Sequence, residues 1–275
     1  MKLIAHRGGS FGKENSLDTM IGAAKMGADL VECDIRRTAD GVYVIYHDES
    51  LSRLAGTEAT VSGVTFAQMK ALLAKNNQNV ITFDELAANY KENAPILLHI
   101  KLTDYDEELA KYIVDSGLPV VPGVMSLDML KCFAAHLPPE RILAFLPSEK
   151  DAEAFYQNGA GILRLWEQWL TRVTTADIKA KCPNAQVFIM ACNLAEEPFA
   201  AMSLETMNGS IKSLEKCQAL GADGVLLNHI EMALAWRRGE KELLYEKETL
   251  GTRRIYHRPQ LLGIPRRHKY VARLE

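Results

Sequence analysis

The chain of 275 residues is 48% hydrophobic and 24% charged, which is ordinary for a globular protein and suits one large domain or two small ones. A formal net charge of −3 gives no overall case for nucleic acid as a partner. Five scattered cysteines without a C-x-x-C pair indicate neither a disulfide framework nor a zinc site. No secretion signal or transmembrane segment is visible, so we expect a cytoplasmic protein with free thiols.

Strand and helix patterns alternate along most of the chain. The predicted strands cover residues 2–6, 30–36, 41–48, 96–101, 120–126, 141–146, 161–165, 185–191 and 223–228. The predicted helices cover residues 16–27, 65–76, 82–93, 106–116, 127–136, 150–158, 175–181, 203–220 and 230–238. The Asp40-Gly41 step predicts a hairpin between the second and third strands.

This alternation predicts the α/β class. About eight strand-then-helix units with short connections fit a closed (β/α)₈ TIM barrel better than an open doubly wound sheet. The turn after the first strand, His6-Arg7-Gly8-Gly9, is not the G-x-G-x-x-G fingerprint of a dinucleotide-binding sheet. The sequence therefore predicts a barrel domain over residues 1–239.

Residues 240–275 form a separate, basic C-terminal extension in this interpretation. Its cations are Arg253, Arg254, Arg258, Arg266, Arg267, Lys269 and Arg273. Pro259, Gly263 and Pro265 interrupt any helix there. Two interpretations stay open: a solvated tail, or a contact with a second subunit of an oligomer or with an anionic surface.

The second predicted strand carries two carboxylates on one face. Glu32 and Asp34 are two residues apart, so both point to the same side of the strand and Cys33 points to the other. Burial of this pair is costly unless a positive charge lies between them, and a divalent cation with oxygen ligands would supply it. The alternative is a pair of edge carboxylates in water, or paired with Arg36 or Arg37.

In a (β/α)₈ barrel the active site lies at the carboxyl ends of the strands. The polar residues expected there are His6, Arg7, Glu32, Asp34, His47, His99, Lys101, Ser126, Arg164, Glu167, Asn193 and Asn228. This set suits phosphoryl transfer on a phosphodiester. A divalent ion would polarise the phosphoryl oxygens, Arg7 and Lys101 would offset anionic charge, and His6 and His47 would share general acid and base duty.

Several short stretches, in order and spacing, carry a family resemblance. They are Ile4-Ala5-His6-Arg7-Gly8-Gly9, Glu14-Asn15-Ser16, Gly27-Ala28-Asp29-Leu30-Val31-Glu32-Cys33-Asp34, Thr38-Ala39-Asp40-Gly41-Val42 and His47-Asp48. Weaker matches are Thr82-Phe83-Asp84-Glu85-Leu86, Ile100-Lys101, Ser126-Leu127-Asp128 and Gly221-Ala222-Asp223-Gly224-Val225. With these motifs the chain resembles the glycerophosphodiester phosphodiesterase family, most specifically in its first fifty residues.

The resemblance implies a (β/α)₈ barrel that hydrolyses glycerophosphodiesters to glycerol 3-phosphate and an alcohol. It implies a divalent metal ion, Mg²⁺, Ca²⁺ or Mn²⁺, on Glu32 and Asp34, with His6 and His47 as the acid/base pair. In such enzymes attack of the glycerol hydroxyl on phosphorus can come first and give a cyclic phosphate. The expected partner is a small-molecule glycerophosphodiester.

The chain departs from the family pattern at several positions. His99 stands where a third carboxylate ligand is expected, and an imidazole suits Mn²⁺, Zn²⁺ or Fe²⁺ better than Mg²⁺ or Ca²⁺. The short loop between His47 and Thr82 predicts a reduced lid insertion. Lys13 and Ser16 replace the Pro and Thr of the family's Pro-Glu-Asn-Thr. The late stretches Ile189-Met190-Ala191-Cys192-Asn193 and Leu227-Asn228-His229-Ile230 also differ.

These departures leave the substrate pocket as a prediction by position only. Its candidate residues are Glu14, Asn15, Trp166, Glu167 and Asn193. Trp166 either stacks on a choline-like cation or is a packing aromatic at the barrel rim.

Three functions remain open at this point. The first is a metal-dependent glycerophosphodiesterase. The second is a phospholipase D-like enzyme on lipid head groups, which the reduced lid and basic extension favour and the lack of a secretion signal disfavours. The third is a catalytically inactive barrel that binds a phosphorylated ligand, which His99 in place of a carboxylate keeps open.

Overall fold

A computed structural model describes residues 1–191 and 211–240 of the chain. The strands are β1 (Lys2–Ala5), β2 (Leu30–Arg37), β3 (Tyr43–Ile45), β4 (Ile96–Ile100), β5 (Val120–Val124), β6 (Leu143–Phe145), β7 (Ile162–Trp166), β8 (Gln186–Met190) and β9 (Gly224–Leu227). The helices are α1 (Leu17–Met26), α2 (Ser52–Ala55), α3 (Phe66–Ala74), α4 (Phe83–Asn89), α5 (Glu107–Asp115), α6 (Leu127–Ala134), α7 (Ala152–Gln157), α8 (Thr175–Lys181), α9 (Ile211–Ala219) and α10 (Ile230–Arg237).

Eight parallel strands close into a barrel. Their order is β1-β9-β8-β7-β6-β5-β4-β2, and β1 pairs with β2 to complete the circle. The closing pairs are Ile4 with Leu30 and Ala5 with Val31. The predicted (β/α)₈ barrel is therefore confirmed.

The predicted hairpin is also confirmed, because β3 pairs antiparallel with β2, with Ile35 opposite Ile45. Its second strand is shorter than the predicted 41–48, and residues 46–48 leave the sheet. Residues 49–63 lie between the predicted strand 41–48 and the predicted helix 65–76, and the sequence predicts a loop there. The structure has the short helix α2 and a 3-10 turn at Val61–Gly63 in this segment. The predicted helices at 65–76 and 82–93 end early, at Ala74 and Asn89.

Helix α1 shows why its predicted bounds are accurate. The Ser16 hydroxyl accepts a hydrogen bond from the Thr19 backbone N–H at the first turn. At the other end Gly27 has φ 102°, and its backbone N–H bonds the carbonyl oxygens of Ala23 and Ala24.

The insertion between β2 and β4 has a small apolar cluster of its own, separate from the barrel core. Its buried members are Val44, Tyr46, Leu51, Val61, Met69, Leu73 and Val80. Its buried and partly buried members all lie between residues 42 and 80, so the insertion supplies this apolar cluster by itself.

Some predictions fall beyond the described part of the chain. The start of the predicted helix 203–220, residue Asn193 and the basic extension after residue 240 lie outside the described residues. The domain boundary at 239/240 stays a prediction. Among the described residues, no helix is long and apolar enough to cross a membrane. The four described cysteines are buried with free thiols, namely Cys33, Cys132, Cys182 and Cys217.

Candidate active site

Two carboxylates and an imidazole meet inside the barrel between β2 and β4. Glu32 and Asp34 are both fully buried, and Asp34 lies beside His99 in the strand register. The His99 Nδ1 atom is 3.2 Å from Asp34 Oδ1 and 3.8 Å from Glu32 Oε1. The period of two along β2 thus places both carboxylates on one side, as predicted.

The turn after β1 approaches this pair through its backbone. Arg7 has φ 51° and ψ 31°, a left-handed conformation that costs free energy for a residue with a Cβ. In return its N–H donates to Glu32 Oε2 at 2.7 Å, and its carbonyl accepts from the Asn15 N–H at 3.0 Å. The Arg7 Nε lies 3.7 Å from Asp34 Oδ2.

Asn15 also has a positive φ, 54°, a conformation that asparagine tolerates better than most residues. Its side-chain amide donates to Asp34 Oδ2 at 3.0 Å, and its Oδ1 accepts from the Asp34 backbone N–H at 3.2 Å. Asn15 therefore fixes the orientation of this carboxylate, while a contact of Asn15 with substrate stays a prediction.

The three side chains satisfy the basic demands of a metal site. One ligand atom each from Glu32, Asp34 and His99 lies within 4.8 Å of the others. Among the described residues, Glu32 Oε1 is buried without a hydrogen-bond partner, and so is His99 Nε2. A buried carboxylate oxygen without a partner is costly, and a cation among these ligands would remove that cost.

The charges in the cluster also favour a bound cation. Burial raises the pKa of Glu32, and the charge of Asp34 raises it further. The pKa of Asp34 is held well below its usual value by Lys101, whose Nζ is 3.2 Å from Oδ1, together with His47, His99 and Arg7, against the cost of burial. Without an added cation the pair therefore carries one negative charge more readily than two.

His6 lies in the same turn, at the end of β1. Its Nδ1 is 2.6 Å from Asn228 Oδ1, a bond across the barrel closure that leaves Nε2 facing the site, 3.9 Å from Glu32 Oε2. Burial, followed by the charge of Arg7, lowers the pKa of His6 to about 3. The imidazole is therefore neutral at neutral pH.

His47 is placed by the loop that leaves β3. Its backbone carbonyl accepts from Arg36 Nε at 2.8 Å, and its Nδ1 is 2.6 Å from Asp48 Oδ1. Burial lowers the pKa of His47, while the charge of Asp34 and the hydrogen bond to Asp48 oppose that shift. Asp48 fixes the proton on Nδ1, so Nε2 is the atom that can exchange a proton with a substrate.

Sequence patterns did not predict the residues that pack against His99. The Phe145 ring stacks on the imidazole, with ring centroids 3.7 Å apart and an angle of 15° between planes. Gly123 on the intervening strand β5 makes room, because a Cβ there would lie 2.3 Å from Phe145 Cε2. Gly123 leaves the space that the Phe145 ring occupies, and this ring covers one face of the His99 imidazole.

The candidate pocket residues of β7 lie across the barrel from β2. The Arg164 guanidinium is 4.4 Å from the centroid of the Trp166 ring and 5.1 Å from that of Phe145. One face of Trp166 is thus occupied by a cation of the chain itself, which favours the packing interpretation for that face. Glu167 is buried and lies 3.8 Å from Lys216 Nζ.

Most of the predicted residues are therefore brought together. Glu32, Asp34, His99, His6, His47, Arg7 and Lys101 form one cluster at the carboxyl ends of β1, β2 and β4 and in the loop after β3. Glu14 and Asn15 adjoin it, whereas Trp166 and Glu167 belong to the opposite wall. The arrangement can hold a cation, bind a phosphate by Arg7 and Lys101, and move protons at two imidazole Nε2 atoms.

Comparison with known proteins gives a family match for the first half of the chain. The model of the glycerophosphoryl diester phosphodiesterase family matches residues 6–132, which include the whole cluster from His6 to Lys101. A glycerophosphodiester phosphodiesterase of Caldanaerobacter subterraneus is 33% identical over 124 residues, 44% of this chain and 48% of the relative. The chain spans about half or less of the length of the curated relatives it matches.

Solved structures resemble the chain over most of its length. A glycerophosphodiester phosphodiesterase of Thermotoga maritima has a TM-score of 0.65 at 20% identity, covering 86% of this chain and 97% of the other. A phosphodiesterase of Oleispira antarctica, solved with the product sn-glycerol-3-phosphate, has a TM-score of 0.61 at 21% identity, covering 88% and 97%. These similarities establish the barrel fold.

Proposed function

We propose that the chain, whose residues 6–132 match the model of the glycerophosphoryl diester phosphodiesterase family, is a metal-dependent enzyme that hydrolyses glycerophosphodiesters to glycerol 3-phosphate and an alcohol. The observation that carries the proposal is the buried cluster of Glu32, Asp34 and His99, with the two histidines His6 and His47 beside it. The product bound in the Oleispira antarctica structure is the one this reaction would release.

The proposed metal ligands are the carboxylates of Glu32 and Asp34 and the imidazole of His99. A bound divalent ion would supply Lewis-acid polarisation of the phosphoryl oxygens. Since one ligand is a nitrogen, Mn²⁺ or another transition ion fits the set better than Mg²⁺ or Ca²⁺.

His47 is the better candidate for the general base. Its Nδ1–H donates to Asp48, whose carboxylate stabilises the imidazolium that forms when Nε2 takes a proton from the attacking hydroxyl. That hydroxyl belongs to the glycerol moiety, which gives a cyclic phosphate, or to water.

His6 is the candidate general acid for the leaving alcohol. Its Nε2 faces the site because Nδ1 is held by Asn228. Burial makes its imidazolium a strong acid, which gives up its proton readily to a leaving oxygen. A phosphate anion bound against it would favour the protonated form before that step.

Arg7 and Lys101 complete the set as phosphate-binding groups. Both side chains are nearly buried, and both reach Asp34, at 3.7 Å from Arg7 Nε and at 3.2 Å from Lys101 Nζ. Their charges lie where the anionic transition state would develop negative charge.

The test is turnover by purified protein that has been stripped of metal and then resupplied with Mg²⁺, Ca²⁺, Mn²⁺ or Zn²⁺. Release of glycerol 3-phosphate from glycerophosphocholine or glycerophosphoethanolamine should require metal, and should be lost in His6→Asn and His47→Asn. Full activity in either variant would contradict the acid/base assignment.

The same assay separates the alternatives. Turnover of lysophosphatidylcholine vesicles without turnover of water-soluble diesters would assign a phospholipase D-like activity. Metal-dependent binding of glycerol 3-phosphate with no turnover of any diester would assign an inactive binding barrel.

A further inference from the structure

A series of linked contacts, first a hydrogen bond and then ion pairs, runs outward from His47. Its Nδ1 is 2.6 Å from Asp48 Oδ1, and the other carboxylate oxygen, Oδ2, accepts from Arg53 Nε at 2.7 Å. The Arg53 guanidinium continues to Glu14, with Nη1 3.2 Å from Oε2 and Nη2 paired with Oε1. Each of the two carboxylates is thus held by one planar guanidinium.

These contacts join two loops that follow different strands. Glu14 lies in the segment before α1, where its Oε2 also accepts from Arg7 Nη1 at 3.3 Å. Arg53 lies in α2 of the insertion. The ammonium group of Lys13 donates to the carbonyl of Asn77 in that insertion, a second contact between the same segments.

Charge and burial distinguish this arrangement from an ordinary surface ion pair. The side chains of Asp48 and Glu14 are 21% and 15% exposed, and that of Arg53 is 40% exposed. His47 and Arg53 hold the pKa of Asp48 well below its usual value, and the two carboxylates raise the pKa of Arg53. Asp48 therefore stays ionised and acts as an acceptor at neutral pH.

We propose that Arg53 is a positioning residue for the reaction, because it clamps Asp48 in the orientation that keeps the proton of His47 on Nδ1 and its lone pair on Nε2. This inference rests on the proposed function, since it assigns His47 the role of proton carrier. Arg53 makes its contacts with Asp48 and Glu14, one side chain removed from the imidazole.

Loss of the clamp should affect the chemical step more than substrate binding. In Arg53→Gln the Asp48 carboxylate is free to rotate, and the imidazole tautomer is no longer fixed. We expect kcat to fall about tenfold or more with KM changed less than about twofold, because a poorly oriented imidazole impairs proton transfer more than substrate binding. Arg53→Lys should recover only part of kcat, because an ammonium group cannot hold both carboxylates in one plane.

Nitrogen and proton NMR of the imidazoles give a readout that needs no turnover. In the wild type, His47 should show a protonated Nδ1 with a downfield, slowly exchanging proton, and in Arg53→Gln this resonance should broaden or vanish. The matched control is Arg172→Gln, which removes an exposed arginine paired with Glu149 at 3.4 Å. The control should keep both the resonance and kcat.

A retained His47 resonance in Arg53→Gln, with kcat unchanged or with kcat and KM altered together, would overturn the positioning role. If the wild type turns over no diester, the proposed function fails, while the resonance still shows whether Arg53 orders His47. If Arg53→Gln does not fold by circular dichroism, Arg53→Lys carries the same comparison.

Discussion

The two carboxylate oxygens of Glu32 have different contacts. Oε2 accepts the Arg7 N–H at 2.7 Å and so holds the turn after β1, whereas Oε1 is buried without a hydrogen-bond partner among the described residues. The first contact is structural and is available to an amide oxygen as well. Burial of the second oxygen without a hydrogen bond is costly, and a cation beside it would remove that cost.

The change Glu32→Gln separates these contacts. The amide keeps an oxygen for Arg7 and removes the negative charge, so we expect a folded protein with metal affinity reduced more than about 10-fold, since even the loss of a hydrogen-bond partner behind a metal ligand costs about that much. Metal content by mass spectrometry and a far-ultraviolet circular dichroism spectrum check both statements. The control Glu140→Gln, at an exposed glutamate, should keep its metal; equal metal content in the two variants would remove Glu32 as a ligand.

At the residue scale the sequence predicted the charged cluster well. The spacing of Glu32 and Asp34 and the strand-end position of His99 suffice, because the two-residue period of a strand fixes which side chains share a face. Arg53 could not be found in this way. Its position relative to Asp48 depends on a four-residue helix inside a segment that the sequence predicted to be a loop.

Strands β4, β5 and β6 act together as the support of His99. Phe145 at the end of β6 reaches over β5 to stack on the imidazole of β4, and Gly123 is the residue it passes. Sequence patterns show neither contact, since a ring that bridges to the second strand along is a matter of side-chain packing rather than of period. Gly123 is needed because the Phe145 ring approaches the backbone closely there, and not because of a turn.

A methyl group at position 123 should displace the ring. We expect Gly123→Ala to lower the free energy of unfolding by about 1–3 kcal/mol, the usual cost of overpacking a core. Phe145→Leu should relieve the clash, so the double variant should lose less than the sum of the two single losses. Urea denaturation of the four proteins measures this coupling, and strictly additive losses would show that the two residues do not meet.

The barrel closure sets the state of His6 at the scale of the whole molecule. Asn228 is 222 residues away in sequence and reaches His6 because β1 pairs with β9. The sequence predicted the barrel, and the closing pair follows from it. The particular hydrogen bond, and the burial that lowers the pKa of His6, follow only from the packed interior.

The lowered pKa of His6 makes stability depend on pH in a stated direction. Between about 3 and 6.5 the unfolded chain binds a proton that the folded chain rejects, so stability rises with pH. We expect the free energy of unfolding of metal-free wild type, relative to His6→Gln, to fall by about 2–4 kcal/mol from pH 7 to pH 4.

The comparison with His6→Gln is needed because the raised pKa of Glu32 makes the free energy of unfolding change with pH in the opposite direction. Its raised pKa stabilises the metal-free fold at low pH, and this contribution is lost as pH rises. Both proteins keep Glu32 buried beside Asp34, so most of that dependence is common to the two and is removed in the difference. Parallel curves for the two proteins would show that His6 is not held neutral by the fold.

The most direct test of the proposed site asks whether a metal ion binds at Glu32, Asp34 and His99. Electron spin-echo spectroscopy of the Mn²⁺-loaded protein detects a nitrogen ligand by its modulation of the echo. We expect nitrogen modulation in the wild type and in His6→Asn, and its loss in His99→Glu, which replaces the imidazole by a carboxylate. Nitrogen modulation that survives in His99→Glu, or that is absent from the wild type, would contradict the assignment of His99 as a ligand.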